Sequence, residues 1–362
     1  MSTTNVKYDV DDDDDDVKKP NIINEEELSA IDRAKKSIAP QNKLEDWKER
    51  EGEVRRCRAI AISESSVAVD GKIFNDNVAR VNGCTYEHDL HGDTLPHVPT
   101  VLTGLMDEWP VCFKCCSSTP VSLDGGPSFA RMSMSGGKVT LHEYEQYCEN
   151  QADNDTAPLY VFDPDILKSR FAMEEEEFPI PPCFSKDAMS CINGTQYRPL
   201  PPHWLLVGVA RSGTPIHDHP MTIAWNAMIA GCKLWVCLPP DVDESLLLLN
   251  LDDEEEEGDG DSSSSSSSHR RDFDLSAIEW FHQCGDLPDD ARIIVQRPGE
   301  VVYLPAGWFH VILNVETSTA ISASLALRRD LPTVLPLLRT YDEEFATFWV
   351  NRMSKELQTM IS

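Results

Sequence analysis

The sequence contains no apolar run that approaches the roughly 20 residues needed for a membrane-spanning helix. It also lacks a secretion signal, because its N-terminus is polar and rich in aspartate rather than basic and then apolar. Without such a signal, the 11 cysteines are expected to remain reduced thiols. These absences argue against a membrane protein and against a disulfide-rich secreted domain, so we expect a soluble intracellular protein.

Basic residues are scarce, since 32 Lys and Arg stand against 62 Asp and Glu and give a net charge of −30. Much of the excess lies in three short acidic runs, at residues 9–16, 174–177 and 252–261. These runs hold 19 acidic residues, and without them the net charge would be −11. Self-repelling runs of this kind are expected to be disordered. The shortage of positive charge disfavours direct nucleic-acid binding and favours a basic protein or peptide as substrate.

Paired zinc motifs are missing as well. Cys112 and Cys115-Cys116 form a single CxxC, and no second CxxC or Cys/His pair at zinc spacing accompanies it. Inert thiols therefore explain these cysteines better than a structural zinc site does.

Short β-prone runs separated by Gly, Pro, Asn and Asp turns dominate the chain after Arg58, most densely after His203. Strands at this spacing are typical of a sandwich or jelly-roll barrel, so the predicted fold is mainly β with helical decorations. An acidic and serine-rich stretch cannot pack a core and is interpreted as an inserted loop. The predicted organisation is an acidic disordered leader (1–25), surface helices (26–57), an N-terminal part of the body (58–200), a core barrel (201–330) with the insert 252–272, and a C-terminal helix (331–362).

The C-terminal segment carries apolar residues at helical spacing, which predicts a helix with one apolar stripe. Such a stripe most often covers the body of its own protomer, and the alternative is a homodimer contact between two such helices. The stripe consists of Phe345, Phe348, Trp349, Met353, Leu357 and Met360.

Two histidines two residues apart, His217 and His219, follow a glycine-containing turn and precede an apolar run. In a strand, alternate side chains share one face, so both rings would point into one cavity and Asp218 would point away. A third histidine, His310, enters another β-prone run about ninety residues later. Two ligands close in sequence and one on a distant strand are how a β-barrel holds a single metal ion. The 2-His-1-carboxylate triad of non-haem Fe(II) oxygenases follows this pattern.

Lys233 lies within an otherwise apolar strand pattern, where a charge is costly unless it is paired with an anion. Its ammonium could hold a carboxylate of a bound co-substrate, although an edge-strand lysine facing solvent would show the same pattern. Thr214, Asn226 and Ser322 are candidate neutral hydrogen-bonding groups for the same ligand. Taken singly, each of these three has the character of an ordinary turn or strand residue.

Six segments stand in a distinctive order and spacing, at residues 157–163, 211–214, 224–235, 280–281, 297–300 and 305–314. Over about residues 135–330 the chain thereby resembles the Jumonji-C oxygenases, and within them the arginine-demethylase and lysyl-hydroxylase branch that is also called phosphatidylserine-receptor-like.

The resemblance implies a double-stranded β-helix of the jelly-roll or cupin type, with Fe(II) and 2-oxoglutarate as co-substrate. His217 and His310 would match the two catalytic ligand histidines. Lys233 would bind the distal carboxylate, and Thr214, Asn226, Tyr160 and Ser322 would match the other co-substrate contacts. The implied reaction couples decarboxylation of 2-oxoglutarate to hydroxylation, or to demethylation, of protein lysine or arginine side chains. The implied location is the nucleus or cytoplasm.

The sequence departs from the family at the metal motif, which is His-X-Asp or His-X-Glu there and His217-Asp218-His219 here. His219 replaces the carboxylate when the segment is aligned from its upstream side, and Asp218 takes that place when it is aligned from Trp225. Three outcomes follow: a three-histidine site, a bulge that brings Asp218 to the metal, or a catalytically inactive module that binds a basic peptide. A three-histidine cupin-type dioxygenase without 2-oxoglutarate is a further alternative, and Lys233 argues against it.

Overall fold

The computed structural model describes residues 60–109, 129–132, 137–163, 179–199, 203–247 and 275–360. The predicted acidic leader (1–25), the surface helices (26–57), the cysteine motif (112–116) and the acidic and serine-rich insert (252–272) lie outside these residues.

Sixteen strands and six α-helices make up the regular structure of the described residues. The strands are β1 (Ile60–Ile62), β2 (Ser66–Val69), β3 (Lys72–Asn75), β4 (Arg80–Asn82), β5 (Thr100–Thr103), β6 (Phe129–Met132), β7 (Gly137–Thr140), β8 (Tyr160–Asp163), β9 (His203–Gly208), β10 (Gly213–His217), β11 (Ile223–Ala230), β12 (Lys233–Leu238), β13 (Arg292–Gln296), β14 (Val301–Leu304), β15 (Phe309–Asn314) and β16 (Ser318–Leu325). The helices are α1 (Leu141–Asn150), α2 (Glu244–Leu247), α3 (Ala277–Gln283), α4 (Leu331–Tyr341), α5 (Glu343–Arg352) and α6 (Lys355–Met360).

The strands form three sheets. A nine-stranded sheet has the order β4-β5-β14-β11-β16-β9-β8-β6-β7, and a four-stranded sheet has the order β10-β15-β12-β13. The third sheet is the hairpin-linked trio β1-β2-β3. All strand pairs are antiparallel except β4 with β5. The predicted mainly β class with helical decorations is confirmed.

The large and small sheets pack face to face, because alternate residues of each strand point into a shared interior. On β12, the inward positions are Lys233, Trp235 and Cys237, and the outward positions Leu234 and Val236 belong to a different cluster. The interior contact joins both sheets through Trp235, Cys237, Ile294 and Ile312 of the small sheet and Val101, Val302 and Leu304 of the large one.

Each outer face is covered by a separate layer, which explains why β11, β12 and β15 are buried on both faces. Trp225 on the outer face of the large sheet packs against Trp109 and Phe184 at ring-centroid distances of 6.3 and 5.7 Å. The small sheet is covered by α3 and the three-stranded sheet, where Phe74 meets Phe281 edge to face at 5.1 Å. Both faces of these strands are thus shielded from water, so a polar side chain in the interior between the sheets needs a partner or a ligand.

The C-terminal segment forms three consecutive helices rather than the single helix predicted. The break between α4 and α5 falls at Asp342, which is extended at φ −151° and caps α5 by accepting a hydrogen bond from the amide of Phe345. Met353 is also extended and ends α5. Phe345, Trp349 and Met353 are buried in one cluster, so the apolar stripe covers the body of its own protomer, as expected.

No helix among the described residues is both long and apolar enough to cross a membrane.

Candidate metal centre

The histidines His217 and His310 face each other across two paired strands. His217 is the last residue of β10 and lies opposite His310 on β15, with ring centroids 4.1 Å apart. Between the pairs Thr214–Ile312 and His217–His310 the register shifts, because β10 has one extra residue. This is a β-bulge, and Pro215, which has no amide hydrogen to offer a ladder, lies within it. The bulge turns the end of β10 so that His217 points inward.

His219 joins the pair from the loop beyond β10. Its ring centroid lies 5.0 Å from that of His217 and 5.3 Å from that of His310. The loop is held by a hydrogen bond of 3.0 Å from the Gly307 amide to the His219 carbonyl. The strand alternation assumed from the sequence was wrong for this residue, since β10 ends at His217 and the loop rather than the pleat places His219.

One ring nitrogen from each of the three histidines lies within 4.8 Å of the other two, a grouping able to hold a metal ion. In the part of the chain that the structure describes, this is the group whose side chains could share a metal ion, and Asp218 is not part of it. The structure therefore brings His219, and not Asp218, to the two predicted ligands. Asp218 is partly buried, and burial raises the pKa of its carboxyl group.

Hydrogen bonds select the ring nitrogens available to a metal. The Nδ1 atom of His217 bonds to the Pro215 carbonyl at 2.8 Å, and the Nδ1 atom of His310 bonds to the Trp308 carbonyl at 3.1 Å. A carbonyl only accepts, so Nδ1 carries the hydrogen and Nε2 keeps its lone pair. Backbone orientation of this kind is typical of metal-binding histidines.

The rings are also in the uncharged form that binds metals. Burial lowers the pKa of His217, and burial together with the neighbouring His217 lowers the pKa of His219 to about 3. Burial and the two other imidazoles lower the pKa of His310 well below its ordinary value. At neutral pH the cluster therefore presents three neutral nitrogen donors.

Lys233 lies in the same interior and is fully buried. The alternative of a solvent-facing edge lysine is wrong, because β12 lies between β15 and β13. Its Nζ donates to the hydroxyl of Tyr160 at 3.1 Å and to Oδ1 of Asn314. Within the described residues it forms no ion pair, and burial lowers its pKa to about 7. A buried ammonium without a counter-ion is costly, so this position favours an anionic ligand.

The other predicted contacts lie on the same inner surface. Tyr160 is buried on β8, and Thr214 is buried on β10. Asn226 is 2% exposed, and its buried Oδ1 has no hydrogen-bond partner among the residues that the structure describes. Ser322 lies opposite Asn226 on β16, and its hydroxyl donates to the Trp225 carbonyl at 2.8 Å. Asn226 therefore has an unused acceptor, whereas Ser322 already uses its donor.

Two buried side chains beside this surface were not singled out from the sequence. Gln296 accepts from the Trp235 indole at 2.9 Å and donates to the Asn226 carbonyl at 2.8 Å, and thus ties the small sheet to the large one. Asn314 contacts Lys233 directly. Both are strand-end polar residues whose sequence context resembles a turn, so the sequence carries no signal of their inward orientation.

The fold and the histidine cluster define a cupin, a β-barrel with a metal-binding interior. The model of the cupin-like domain family matches residues 93–325. Because this span is more than half of the chain, the chain belongs to that family. The predicted double-stranded β-helix and the resemblance to Jumonji-C oxygenases are confirmed.

Curated relatives match most of the chain. An arginine-specific demethylase of Arabidopsis thaliana is 30% identical over 274 residues, which are 73% of this chain and 49% of that protein. A bifunctional arginine demethylase and lysyl-hydroxylase of Caenorhabditis elegans is 27% identical over 291 residues, which are 78% of this chain and 70% of that protein. A 2-oxoglutarate and iron-dependent oxygenase of Mus musculus is 23% identical over 296 residues, 71% of this chain and 62% of that protein. The match thus spans about half the length of the plant relative.

Proposed function

We propose that this protein is an Fe(II)- and 2-oxoglutarate-dependent oxygenase that hydroxylates or demethylates lysine or arginine side chains of proteins. The observation that carries the proposal is that three neutral imidazoles share one barrel interior with a buried lysine that has no ion-pair partner in the described part of the chain. The names of the three relatives, which are demethylases, a hydroxylase and an iron-dependent oxygenase, support it.

The residues fit an iron ion with one difference from the usual donor set. Imidazole nitrogens suit Fe(II), and a set of three protein ligands would leave positions for a co-substrate and oxygen. His217, His219 and His310 would hold the ion, with Asp218 as the alternative third ligand. Bound iron supplies the oxygen chemistry, and the chain supplies orientation and a dry interior. Three neutral donors leave the ion with its full double positive charge, which strengthens its attraction for an anionic co-substrate.

The co-substrate has matching groups on the inner surface. The Lys233 ammonium would bind the distal carboxylate, assisted by the hydroxyl of Tyr160 at 3.1 Å. Thr214, Asn226 and Ser322 would line its remaining length. The Oδ1 of Asn226, which is unpaired within the described ranges, supports this placement, because a buried polar atom without a partner is rare unless a ligand satisfies it.

We assign a basic protein or peptide as substrate, because the end of the small sheet beside the histidines is rimmed with acidic groups. β10 and β12 end there and β15 begins there, and Pro240 of the loop after β12 lies beside Gly307. A negative rim raises the local concentration of positively charged partners. The exposed acidic residues at this end are Asp241, Asp243, Glu244, Asp289 and Asp290. The compartment is the nucleus or cytoplasm.

Anaerobic titration of the protein with Fe(II) and 2-oxoglutarate tests the proposal. The chelated complex should give a weak visible charge-transfer band, and succinate should form once oxygen is admitted. Mass spectrometry of lysine- and arginine-rich peptides then distinguishes gain of one oxygen from loss of one methyl group. An inactive binding module would give no band at saturating iron. A three-histidine dioxygenase would bind iron but would neither give the band nor need Lys233.

The third ligand is decided by two variants in the same titration. His219→Ala is expected to weaken iron binding by at least about 10-fold, because it removes one of three donors that lie within 4.8 Å of one another. Asp218→Asn, its control in the same loop, is expected to bind iron like the wild type. The reverse result would show that Asp218 moves to the metal and that His219 does not ligate it.

A homodimer would form through the C-terminal helices, on the exposed face of α4. The predicted stripe on α5 is buried, but Leu337 and Tyr341 lie one turn apart on α4 and are 46% and 82% exposed. Sedimentation equilibrium should then give a dimer for the wild type and a monomer for Tyr341→Glu. A wild type that stays monomeric at high concentration would disprove this contact.

A further inference from the structure

Asn314 lies against the buried ammonium that the proposed function uses. It is the last residue of β15 and pairs directly with Lys233, the first residue of β12. Both side chains are fully buried, and the Asn314 Oδ1 accepts a hydrogen bond from the Lys233 Nζ. Both strands have hydrogen-bonded neighbours on each side, which fixes their register, so the sheet fixes the position of the Asn314 amide relative to Lys233.

The other end of the amide is also held. The Asn314 Nδ2 donates to the Ser212 hydroxyl oxygen at 2.8 Å, and that hydroxyl donates to the Val209 carbonyl at 2.6 Å. Because Ser212 spends its only hydrogen on a carbonyl, its oxygen accepts from the amide and cannot donate to it. The chain of bonds therefore has one polarity, which keeps Oδ1, the acceptor, directed at the ammonium.

The turn that carries Ser212 is anchored by its neighbours. Arg211 has a left-handed φ of 73°, a strained conformation for this residue type. Its guanidinium is buried and donates to the carbonyls of Ala152 and Asp155. On the other side, a Cβ placed on Gly208 would come within 2.3 Å of the Ser212 Oγ and 2.5 Å of the Asn314 Nδ2. The absence of a side chain at Gly208 therefore lets the amide and the hydroxyl pack directly against the backbone.

Two of the three Nζ hydrogens are used by Tyr160 and Asn314, which leaves one for a ligand. On β15, Asn314 and His310 lie on the same face four residues apart, a rise of roughly 13 Å along the strand. The side chain of Lys233 starts opposite Asn314. A short diacid can reach both the ammonium and the histidines only if the Lys233 Nζ lies at a set distance from the histidine cluster.

We propose that Asn314, held by Ser212, is a positioning residue that sets the depth of the Lys233 ammonium and so selects the chain length of the 2-oxo diacid. The inference rests on the proposed function and adds a determinant of co-substrate selectivity. Asn314 acts through Lys233, and Ser212 acts through Asn314.

The experiment measures the Kd of anaerobic Fe(II)-loaded protein for 2-oxoglutarate and for its one-carbon-longer homologue, 2-oxoadipate. Asn314→Asp keeps the shape of the side chain but gives Lys233 an internal carboxylate partner, so 2-oxoglutarate binding should weaken by about 100-fold or more. Ser212→Ala frees the amide, so 2-oxoglutarate binding should weaken by about 10-fold and the preference over 2-oxoadipate should narrow.

Ser318→Ala is the matched control, because Ser318 is equally buried but its hydroxyl bonds to the Cys232 and Glu316 carbonyls and not to the Asn314 amide. It should keep the wild-type Kd and selectivity. Iron affinity should stay unchanged in all three variants, and in turnover Ser212→Ala should raise KM for 2-oxoglutarate with little change in kcat.

Wild-type affinity and selectivity in both Ser212→Ala and Asn314→Asp would overturn this inference while the proposed function stood. A wild type that binds iron but no 2-oxoglutarate would overturn the proposed function, and this inference with it. If Asn314→Asp does not fold, Ser212→Ala against Ser318→Ala decides alone, because each removes one buried hydroxyl.

Discussion

Replacing Lys233 with methionine is expected to abolish 2-oxoglutarate binding and, at the same time, to raise the thermal stability of the protein. Lys233 is fully buried without an ion pair among the described residues, and its folded-state pKa is about 7. Methionine fills a similar volume without the desolvation cost. The free energy of unfolding should rise by about 1–3 kcal/mol. This is less than the full cost of desolvating the ammonium, because Asn314 loses its hydrogen-bond donor.

The stability of the wild type should also depend on pH in a way that the variant does not share. A lysine whose pKa falls from 10.5 to about 7 on folding binds more protons in the unfolded chain between those values. Its contribution to stability therefore rises as pH increases from about 7 to 10.5. The difference in melting temperature between the wild type and Lys233→Met should therefore become smaller as the pH rises over this range.

Lys355→Met is the matched control, since Lys355 is exposed on α6 and should change neither binding nor melting. Differential scanning calorimetry and anaerobic titration check both halves of the prediction. If Lys233→Met kept its affinity for 2-oxoglutarate, the ammonium would not be the carboxylate anchor. If it lost stability, packing around the ammonium would matter more than its desolvation.

The second large effect is expected from His310→Ala, which should remove stoichiometric metal from the protein. His310 is 2% exposed, and its ring lies 4.1 Å from that of His217 and 5.3 Å from that of His219. Loss of a direct ligand should lower iron affinity by more than the roughly 10–100-fold typical of losing an outer-shell partner. Iron content after gel filtration and the charge-transfer band measure the loss.

Stability should also fall in this variant, by about 1–3 kcal/mol, because the substitution leaves a cavity and deprives the buried Trp308 carbonyl of its hydrogen-bond donor. The indole of Trp235, which stacks on the His310 ring at 6.0 Å, would lose that contact. His282→Ala is the control, since His282 is a half-exposed surface residue paired with Asp70. Retention of one equivalent of iron by His310→Ala would place the metal elsewhere.

Much of the fold and of the site follows from local patterns. The apolar run around Lys233 does form a strand, β12, from Lys233 to Leu238. His217, His310 and Lys233 stand out because polar groups in such runs need a partner. β3 and β4 are short and mostly exposed, so their strand structure depends on pairing with β2 and β5 rather than on a local pattern.

Sequence by itself determined the class of this protein: alternating short strands, two separated histidine positions and one lysine in an apolar run. These signals are local, because strand periodicity and the cost of a buried charge act on neighbouring residues. Only the tertiary structure decided that His219, rather than Asp218, joins the cluster, because a bulge and a loop bond to Gly307 place it. It also revealed Asn314 as the partner of Lys233. Such pairings join residues far apart in sequence and depend on the register of β12 with β15, which no local pattern specifies.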